Sequence, residues 1–496
     1  MKVAKLRLTR TRHRFLPDPK RVITRPFIPG EEGFVYGQSR VGLVLERILA
    51  IPEEQVQALL DEVQGAFSPR HHDLTKVLDD HFQLVSGHLE NGDRISSARR
   101  LLIGAYFTKE YSIEGAALFN PSLVPAPDQS GLPRGALRFL MSLRAVGEGH
   151  ISSIEFRSGV IGPRGKIVFD APSPFVSTGR RTPNPSYAKE VFGRKLKELD
   201  LDNDLSRAVL GALADRFSFT ELTEACASSK SREIRERIRR QTIEAMHWLA
   251  SSNYEVEFPP DSAVSERVIF PASPNESRGM EDARFVRFVD DDRTVRYYAT
   301  YTAYDGHDIL PQLIETTDFV TFSVRTLNGH LVMNKGMALF PRRVGGKFAM
   351  LSRHDSKNIH FMTSDDIRLW HEAERLQTPQ SWWEIIQIGN CGSPIETEAG
   401  WLVLTHGVGP MRRYVIGAML LDLDDPRRVI GKLNEPFLVA EQDERDGYVP
   451  NVAYTCGAIV HNGRLVLPYG FSDMGVRIAT VPLADLLSRL NEHPRG

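Results

Sequence analysis

The sequence predicts a mainly β fold of the sandwich, barrel or propeller class, flanked by helical segments. Short runs rich in β-branched and aromatic residues recur from about residue 254 to residue 487, for example over 295–304 and 401–408. Turn sequences such as Asn462-Gly463 separate these runs, which is the pattern of an all-β domain. The stretch is too long for a small sandwich. A propeller of four-stranded blades accommodates this length without leaving long strand edges exposed.

Two blocks with helical periodicity accompany the strands. Apolar residues at helical spacing predict a helical segment over about 42–106 and a helical insertion over about 187–250. Strand-like runs between residues 118 and 170 separate the two blocks. We therefore expect an N-terminal segment, residues 1–114, and a mainly β domain, residues 115–496, which the insertion interrupts.

Composition excludes several classes of protein. The 496 residues include 62 Lys and Arg against 63 Asp and Glu, a formal net charge of −1, so no overall field attracts nucleic acid or an anionic membrane. No apolar run approaches the roughly 20 residues of a membrane-spanning helix. The cysteines Cys226, Cys391 and Cys456 are far apart. This spacing argues against disulfides or a zinc site and predicts a reducing, cytoplasmic compartment.

The first 25 residues contain nine Lys or Arg and one acid, Asp18. This segment has no apolar core of the kind found in secretory signals. Such a basic run is either an anion-binding arm or the solvated edge of a strand. The alternation over residues 5–12 favours the strand edge.

A first polar cluster interrupts the apolar strand pattern between residues 281 and 308. It contains Glu281, Asp282, Asp305 and Asp308, and Asp305 directly follows a predicted strand. The end of a strand fixes a catalytic acid while the following loop exposes it. Asp305-Gly306 is equally a favoured turn sequence, so the residues alone leave both interpretations open.

Two further clusters contain side chains that bind anions. The first comprises Arg353, His354 and Lys357, and the second, around a Gly-rich turn, comprises His406, Arg412, Arg413 and Tyr414. Arginine binds phosphate through two parallel hydrogen bonds. Alone, the first cluster is better explained as a charged hairpin loop, and the second is the better anion site. No motif of a nucleotide-binding loop, zinc peptidase or serine hydrolase elbow occurs.

Taken together, the motifs resemble those of glycoside hydrolase family 130. In chain order they are Phe119-Asn120-Pro121, Arg144 at a strand end, 279–284, 301–305, 389–408, 420–431, 444–457 and 469–473. The resemblance covers roughly residues 118–487 outside the helical insertion. It implies a five-bladed β-propeller with its active site at the central axis, and an inverting β-mannoside phosphorylase or β-mannosidase.

The resemblance also implies a role for each matching residue. Asp305 matches the general acid, whose proton reaches the glycosidic oxygen through the mannose 3-hydroxyl. Asp473 matches the residue that holds mannose hydroxyls. The other residues implied to bind substrate are Asn120, Arg144, Glu281, Asp282 and Arg284. The residues implied to bind phosphate are Arg353, His406 and Tyr414, with Arg412 or Arg413 beside them.

Some positions depart from the family pattern. Ala283 replaces a usual Pro, Thr405 replaces a usual Tyr, and the motif over 468–473 lacks the usual double Tyr. The Lys that phosphorylases carry shortly after the arginine loop is missing near residues 365–371. Arg368 or Lys357 would have to replace that Lys, although a forked guanidinium and an ammonium are not equivalent.

The resemblance therefore predicts phosphorolysis of β-mannosides with inversion, giving α-mannose 1-phosphate. The partners are a β-mannoside oligosaccharide and inorganic phosphate as co-substrate, with no metal or organic cofactor and no nucleic acid or membrane. The first alternative is an inverting β-mannosidase, whose candidate bases for water are Glu384, Glu396 and Glu444. Further alternatives are a related mannosyltransferase and a non-catalytic glycan-binding propeller. The helical segments either cap the pocket or form the interface of a homo-oligomer.

Overall fold

The computed structural model describes residues 6–29, 40–89, 95–183, 186–229 and 236–491. The chain divides into two compact units. The larger comprises Met1–Pro17, Ala116–Pro172 and Thr178–Gly496, and the smaller comprises Asp18–Gly115 and Ser173–Ser177. Residues 1–5 of the basic N-terminus and residues 230–235 of the predicted insertion lie outside the described residues.

Helices occupy the two predicted blocks. They are α1 (Arg40–Leu49), α2 (Glu53–Phe67), α3 (Leu74–Val85), α4 (Ser97–Tyr106), α5 (Lys189–Glu198), α6 (Asp204–Gly211), α7 (Phe219–Ser228), α8 (Glu236–Ser251) and α9 (Leu483–Asn491). α1–α4 belong to the smaller unit, and α5–α8 form the insertion. Side-chain caps begin several of them: Asp73 accepts a hydrogen bond from the Lys76 amide at the start of α3.

Strands make up most of the remaining structure. They are β1 (Thr9–Phe15), β2 (Val22–Pro26), β3 (Thr108–Ser112), β4 (Ala117–Pro125), β5 (Leu137–Val146), β6 (Ser152–Ile161), β7 (Ile167–Phe169), β8 (Arg180–Pro183), β9 (Tyr187–Ala188), β10 (Arg216–Phe217), β11 (Tyr254–Glu257), β12 (Val268–Ile269), β13 (Gly279–Val289), β14 (Val295–Tyr304), β15 (Ile309–Thr316), β16 (Thr321–Thr326), β17 (Ala338–Leu339), β18 (Phe348–Ser352), β19 (Ile359–Ser364), β20 (Glu372–Gln377), β21 (Gln387–Asn390), β22 (Ile395–Thr397), β23 (Gly400–Gly409), β24 (Arg413–Leu421), β25 (Val429–Lys432), β26 (Ala453–Tyr454), β27 (Ile459–His461), β28 (Arg464–Phe471) and β29 (Gly475–Pro482).

The larger unit contains five antiparallel groups of strands, which we call meanders one to five. They are β4–β7, β13–β16, β17–β20, β21–β25, and β26–β29 together with β1. Meanders one and two share a sheet through the single parallel pair Gly279–Ser152. The predicted basic strand is β1, which pairs antiparallel with β29 and so joins the N-terminal strand to the C-terminal meander.

Buried apolar clusters lie between successive meanders. The pairs of meanders that share a cluster are one and two through Phe156 and Phe285, two and three through Phe288 and Met350, three and four through Phe361 and Trp401, and four and five through Leu402 and Leu467. A further cluster joins meander five to meander one through Ile478 and Met141. Strands covered on both faces have near-continuous apolar runs. Every residue of β23 is buried, including Thr405 and His406.

The structure differs from the sequence-based expectation at the C-terminus. Residues up to 487 were predicted as strands, but α9 begins at Leu483. Leu486 and Leu490, spaced by four residues, are buried against meanders four and five. The helical pattern extends over only about two turns. It directly follows a strand pattern, so the change from strand to helical period is hard to recognise in the sequence.

Candidate active site

A cavity of about 180 Å³ collects side chains from all five meanders. Its lining consists of Phe119, Asn120, Arg144, Asp282, Lys335, Arg353, Gln387, His406, Arg412, Tyr414, Val449, Val452, Tyr454 and Asp473. Eight of these residues were singled out from the sequence, four for substrate and four for phosphate. Asn120 and Asp473 are 353 residues apart in the chain (473 − 120), so only the tertiary fold brings them together.

Four lining residues have left-handed backbone conformations, although none is glycine. The φ angles are 49° at Asn120, 56° at Asp282, 52° at Arg412 and 48° at Asp473. Asn120 and Asp282 lie where the registers of β4 and β13 shift, and each irregularity redirects its side chain. Such conformations cost about 1–3 kcal/mol each and concentrate at functional sites. Their convergence on one cavity therefore supports a functional role.

The acidic wall of the cavity is organised around Asp282. Its carboxylate accepts a hydrogen bond from Asn120 Nδ2, and Arg144 Nη1 lies 3.8 Å from its Oδ1. Burial acts to raise the pKa of Asp282, but the nearby Arg284, Lys335 and Arg144 outweigh burial, and the pKa is lowered. Asp282 is therefore an ionised acceptor at neutral pH, suited to ligand hydroxyl groups.

Glu281 and Arg284, also predicted to bind substrate, lie behind the lining residues. Glu281 is 7 % exposed and pairs with Arg144 at 2.7 Å and with Lys335. Arg284 is 2 % exposed and donates a hydrogen bond of 2.7 Å to Tyr454 Oη. Both residues thus orient side chains that line the cavity.

The basic wall contains Arg353, Arg412 and Lys335 with the His406 ring. The His406 ring lies parallel to Tyr414, with centroids 6.0 Å apart, and edge-on to Tyr454 at 5.0 Å. Burial, together with Arg353 and Arg284, holds the pKa of His406 well below its usual value. The ring is therefore neutral at physiological pH. Within the described chain, its buried Nδ1 has no side-chain hydrogen-bond partner.

Lys335 is a cation that sequence reasoning missed. It lies in the loop before β17, in no recognisable motif, and only the fold shows that it lines the cavity. The two proposed replacements for the missing Lys are placed elsewhere. Lys357 is an exposed residue outside the lining, and Arg368 lines a different cavity.

Asp305 lies directly after β14 and outside the lining. Its Oδ1 accepts hydrogen bonds from the backbone amides of His307 at 2.8 Å and Asp308 at 2.7 Å. Thr302 pairs with Glu281 across the ladder, and Asp305 follows three residues later, about 10 Å farther along the strand direction. Asp305 therefore has a fixed carboxylate at the same end of β14 as the acidic wall.

The remaining predicted residues also lie outside the lining. Arg413 is exposed at the start of β24. Glu384 is fully buried and pairs with Lys432. Glu444 is fully buried and accepts a hydrogen bond of 2.9 Å from Arg477. Glu396 pairs with Arg342 at 2.7 Å on the surface. Each of the three glutamates is thus engaged in an ion pair of the scaffold.

Gly389 provides a test of how the His406 ring is held. An added Cβ would lie 2.4 Å from His406 Cε1 and 2.9 Å from Nε2. We expect Gly389→Ala to displace the ring and lower the free energy of unfolding by about 1–3 kcal/mol. If His406 contacts phosphate, as proposed below, the displacement should also weaken phosphate binding about tenfold, or about 1.4 kcal/mol. Phosphate-dependent kinetics and thermal denaturation measure the two effects. Gly211→Ala, where a Cβ meets nothing within 4 Å, is the matched control. An unchanged phosphate affinity in Gly389→Ala would contradict this placement of His406.

Asp473 provides a pH-dependent test of burial. Burial raises the pKa of Asp473 to about 6, against the opposing effect of Arg144. In the unfolded chain the Asp473 carboxyl has an ordinary pKa of about 3.9. The protonated carboxyl therefore contributes its full stabilisation of the fold below about pH 4, and this contribution is lost as pH rises through about 6. Asp473→Asn should therefore exceed the wild type in stability at pH 8 by at most about 3 kcal/mol, and match it near pH 4. Urea denaturation between pH 4 and pH 8 measures the difference in stability. A difference that does not change with pH would show that burial of the ionised Asp473 carboxylate is not its cause.

No group of three or more His, Cys, Asp or Glu side chains in the described ranges is placed to hold a metal ion. No helix in the same ranges is both long and apolar enough to cross a membrane.

Comparison with known proteins identifies the family. The family profile described as beta-1,4-mannooligosaccharide phosphorylase matches residues 255–492. The 1,2-beta-oligomannan phosphorylase of Thermoanaerobacter sp. (strain X514) is 32 % identical over 231 residues, which cover 45 % of this chain and 75 % of the relative. The beta-1,2-mannobiose phosphorylase of the same organism is 35 % identical over 214 residues, which cover 42 % of this chain and 68 % of the relative.

A solved structure of the beta-1,2-mannobiose phosphorylase from Listeria innocua, with beta-1,2-mannobiose, has a TM-score of 0.45 at 20 % identity. The match covers 77 % of this chain and 94 % of that one. The extent and identity of the sequence matches show that the chain belongs to glycoside hydrolase family 130 and is a carbohydrate-active enzyme.

Proposed function

We propose that the protein is an inverting β-mannoside phosphorylase that uses inorganic phosphate and releases α-mannose 1-phosphate. The observation that carries this proposal is the presence of both carboxylates and cations in the lining of one cavity. Asp282 and Asp473 contribute carboxylates, and Lys335, Arg353 and Arg412 contribute cations. Carboxylates accept hydrogen bonds from sugar hydroxyls, and cations bind phosphate. The cavity therefore suits a mannosyl group and a phosphate side by side.

The basic wall supports phosphate as the nucleophile. Arginine and lysine give charge-assisted hydrogen bonds, and the neutral His406 and Tyr414 add polar contacts without further charge. Of the three cations, only Lys335 forms an ion pair within the described residues, and its partner is Glu281. Arg353 and Arg412 thus keep guanidinium donors for phosphate.

The position of Asp305 supports an indirect proton transfer. Its Oδ1 is held by two backbone amides, and within the described chain no hydrogen bond engages Oδ2. We propose that Asp305 protonates the leaving oxygen through a substrate hydroxyl, because the carboxyl lies outside the residues that line the cavity. Phosphate then attacks the anomeric carbon from the opposite face, and a single displacement inverts its configuration.

The hydrolytic alternative has weaker support. An inverting hydrolase needs a carboxylate base roughly 6.5–9.5 Å from the acid, with a water between them. Glu384, Glu396 and Glu444 are each held in an ion pair outside the lining. Releasing a buried carboxylate such as Glu384 or Glu444 would leave a charged partner unpaired, which costs about 3–5 kcal/mol. Cations, rather than a free glutamate, therefore face the reacting centre in our proposal.

We also propose that the larger unit is a five-bladed propeller. Five meanders, each joined to the next by a buried apolar cluster, support this architecture, as does the cluster that joins meander five to meander one. The three free, buried cysteines support a cytoplasmic location. The division at residue 114 and a homo-oligomer formed through the helical segments stay predictions.

The substrate linkage is proposed from the relatives. Both Thermoanaerobacter relatives carry names that specify 1,2-linked mannosides, whereas the family profile is described by a 1,4 linkage. We propose a β-1,2-linked mannobiose as the first substrate. Incubating the protein with β-1,2- and β-1,4-mannobiose, each with and without phosphate, tests this choice. We expect cleavage of the 1,2-linked disaccharide that requires phosphate, and preferential cleavage of the 1,4-linked one would overturn the linkage.

A further inference from the structure

A second cavity lies within the larger unit, between the helical insertion and meander two. Its volume is about 280 Å³. The lining residues are Ser186, Tyr187, Ala188, Val191, Phe192, Lys195, Arg216, Leu249, Asn253, Arg325, Thr326, Asn328 and Arg368. None of these residues lines the cavity that contains Asp473. The insertion therefore creates a cavity of its own.

The charged side chains in the described lining of this cavity are all cations. Lys195, Arg216, Arg325 and Arg368 line it, and no Asp or Glu is among the described lining residues. Three of these cations pair with acids outside the lining: Lys195 with Glu198 at 3.2 Å, Arg325 with Glu255 at 3.0 Å, and Arg368 with Asp366 at 3.6 Å. These three pairs offset part of the positive charge, and Arg216 has no acidic partner among the described residues, so the lining keeps an excess positive charge that attracts an anion.

The four cations differ in the donors that they keep for a ligand. The Arg325 guanidinium is occupied by the Tyr254 and Val324 carbonyls and by Glu255. Arg216 donates through Nε to Ser186 Oγ at 2.8 Å, and no described residue bonds its terminal nitrogens. Among the described residues, the Arg368 guanidinium has a single long contact, 3.6 Å to Asp366. Arg216 and Arg368 thus keep forked donors, the geometry that matches phosphate oxygens.

Lys195 is the buried member of the cluster. It is 5 % exposed, and its ammonium donates to Glu198 and to the Leu327 carbonyl, each at 3.2 Å. An ammonium has three donors, so one is left. Burial lowers the pKa of Lys195 despite the presence of Glu198. A bound anion would oppose this effect and stabilise the charged ammonium.

We propose that this cavity is a second anion site, which binds a phosphate dianion either as inorganic phosphate or as a small phosphate monoester. Arg216 and Arg368 bind the phosphate oxygens at the exposed side, and Lys195 neutralises charge at the buried side. The apolar wall of Tyr187, Val191, Phe192 and Leu249 accommodates the uncharged part of a monoester. The volume is at the small end for a ligand site and limits the occupant to a compact molecule. The proposal does not depend on the proposed function, because the two cavities share no lining residue.

Calorimetric titration of the full chain tests the second site. The probes are inorganic phosphate, mannose 1-phosphate, and methyl mannoside as an uncharged control. Arg216→Gln combined with Arg368→Gln should weaken binding at this site about 10- to 100-fold, because two charge-assisted contacts are lost. Arg240→Gln, an exposed arginine of α8 outside the cavity, is the matched control. Arg353→Gln separates this site from the proposed catalytic one.

Each outcome of the titration decides the proposal. We expect a phosphate-binding event that persists in Arg353→Gln and is lost in the double variant. Binding of mannose 1-phosphate but not inorganic phosphate at this site identifies a monoester as the ligand, and comparable affinities identify the dianion itself. Retention of every phosphate-binding event in the double variant, binding of methyl mannoside alone, or only one event, lost in Arg353→Gln, would overturn the proposal. If the proposed function is wrong and the second site exists, the wild type shows one phosphate-binding event, which Arg353→Gln retains and the double variant loses.

Discussion

Asp305→Asn should lower the turnover of mannoside cleavage by about 10²–10⁴-fold, the usual contribution of a general acid. The carboxamide oxygen can still accept hydrogen bonds from the amides of His307 and Asp308, so the loop and the melting temperature should be preserved. The variant loses only the proton that the carboxyl donates to the leaving group. Steady-state kinetics and thermal denaturation measure both effects.

Asp308→Asn is the matched control for this prediction. Asp308 is an exposed carboxylate in the same loop, three residues from Asp305. Asp308→Asn should change turnover less than about threefold, because we assign Asp308 no role in proton transfer. Equal losses in the two variants would show that the loop rather than the Asp305 proton matters. Turnover within about tenfold of wild type in Asp305→Asn would remove Asp305 from the mechanism.

Arg353→Gln should weaken the use of phosphate at least about 10²-fold. Two charge-assisted hydrogen bonds at about 1.5 kcal/mol or more each are lost, and each 1.4 kcal/mol corresponds to a factor of ten. The substitution also removes a charge that holds the pKa of His406 low, so that the pKa of His406 should rise. The dependence of rate on phosphate concentration measures the first effect, and NMR titration of the imidazole measures the second.

Arg413→Gln controls for the general loss of a positive charge. Arg413 is exposed and lies outside the cavity, although its neighbour Arg412 lines it. It should leave the phosphate dependence unchanged. If Arg353→Gln alters only the concentration of mannoside needed for half-maximal rate, then Arg353 binds sugar and the basic wall has a different role.

The strands and the helical insertion were predictable because their signals are local. Alternation or a continuous apolar run marks β14 and β23, and helical spacing marks α5 and α8. The packing of meander five against meander one depends on contacts between residues such as Met141 and Ile478, which no local pattern reports. The C-terminal helix α9 was missed because its apolar period extends over only two turns.

The site was predictable only in part. Motifs led to Asn120, Asp282 and Asp473, whose left-handed backbones bring polar side chains to one cavity. Lys335 carries no motif, and its role depends on a loop that only the folded chain places beside Glu281. The scaffold ion pairs of Glu384 and Glu444 were equally invisible, because their partners Lys432 and Arg477 are distant in sequence.

The identity of the product tests the central claim most directly. Phosphorus and proton NMR can follow the cleavage of β-1,2-mannobiose by the wild-type protein in the presence of inorganic phosphate. We predict that α-mannose 1-phosphate appears first, with one phosphate consumed for each disaccharide cleaved. Release of free mannose at a rate independent of phosphate would contradict the account, because water would then be the nucleophile at a cavity that we assign to phosphate.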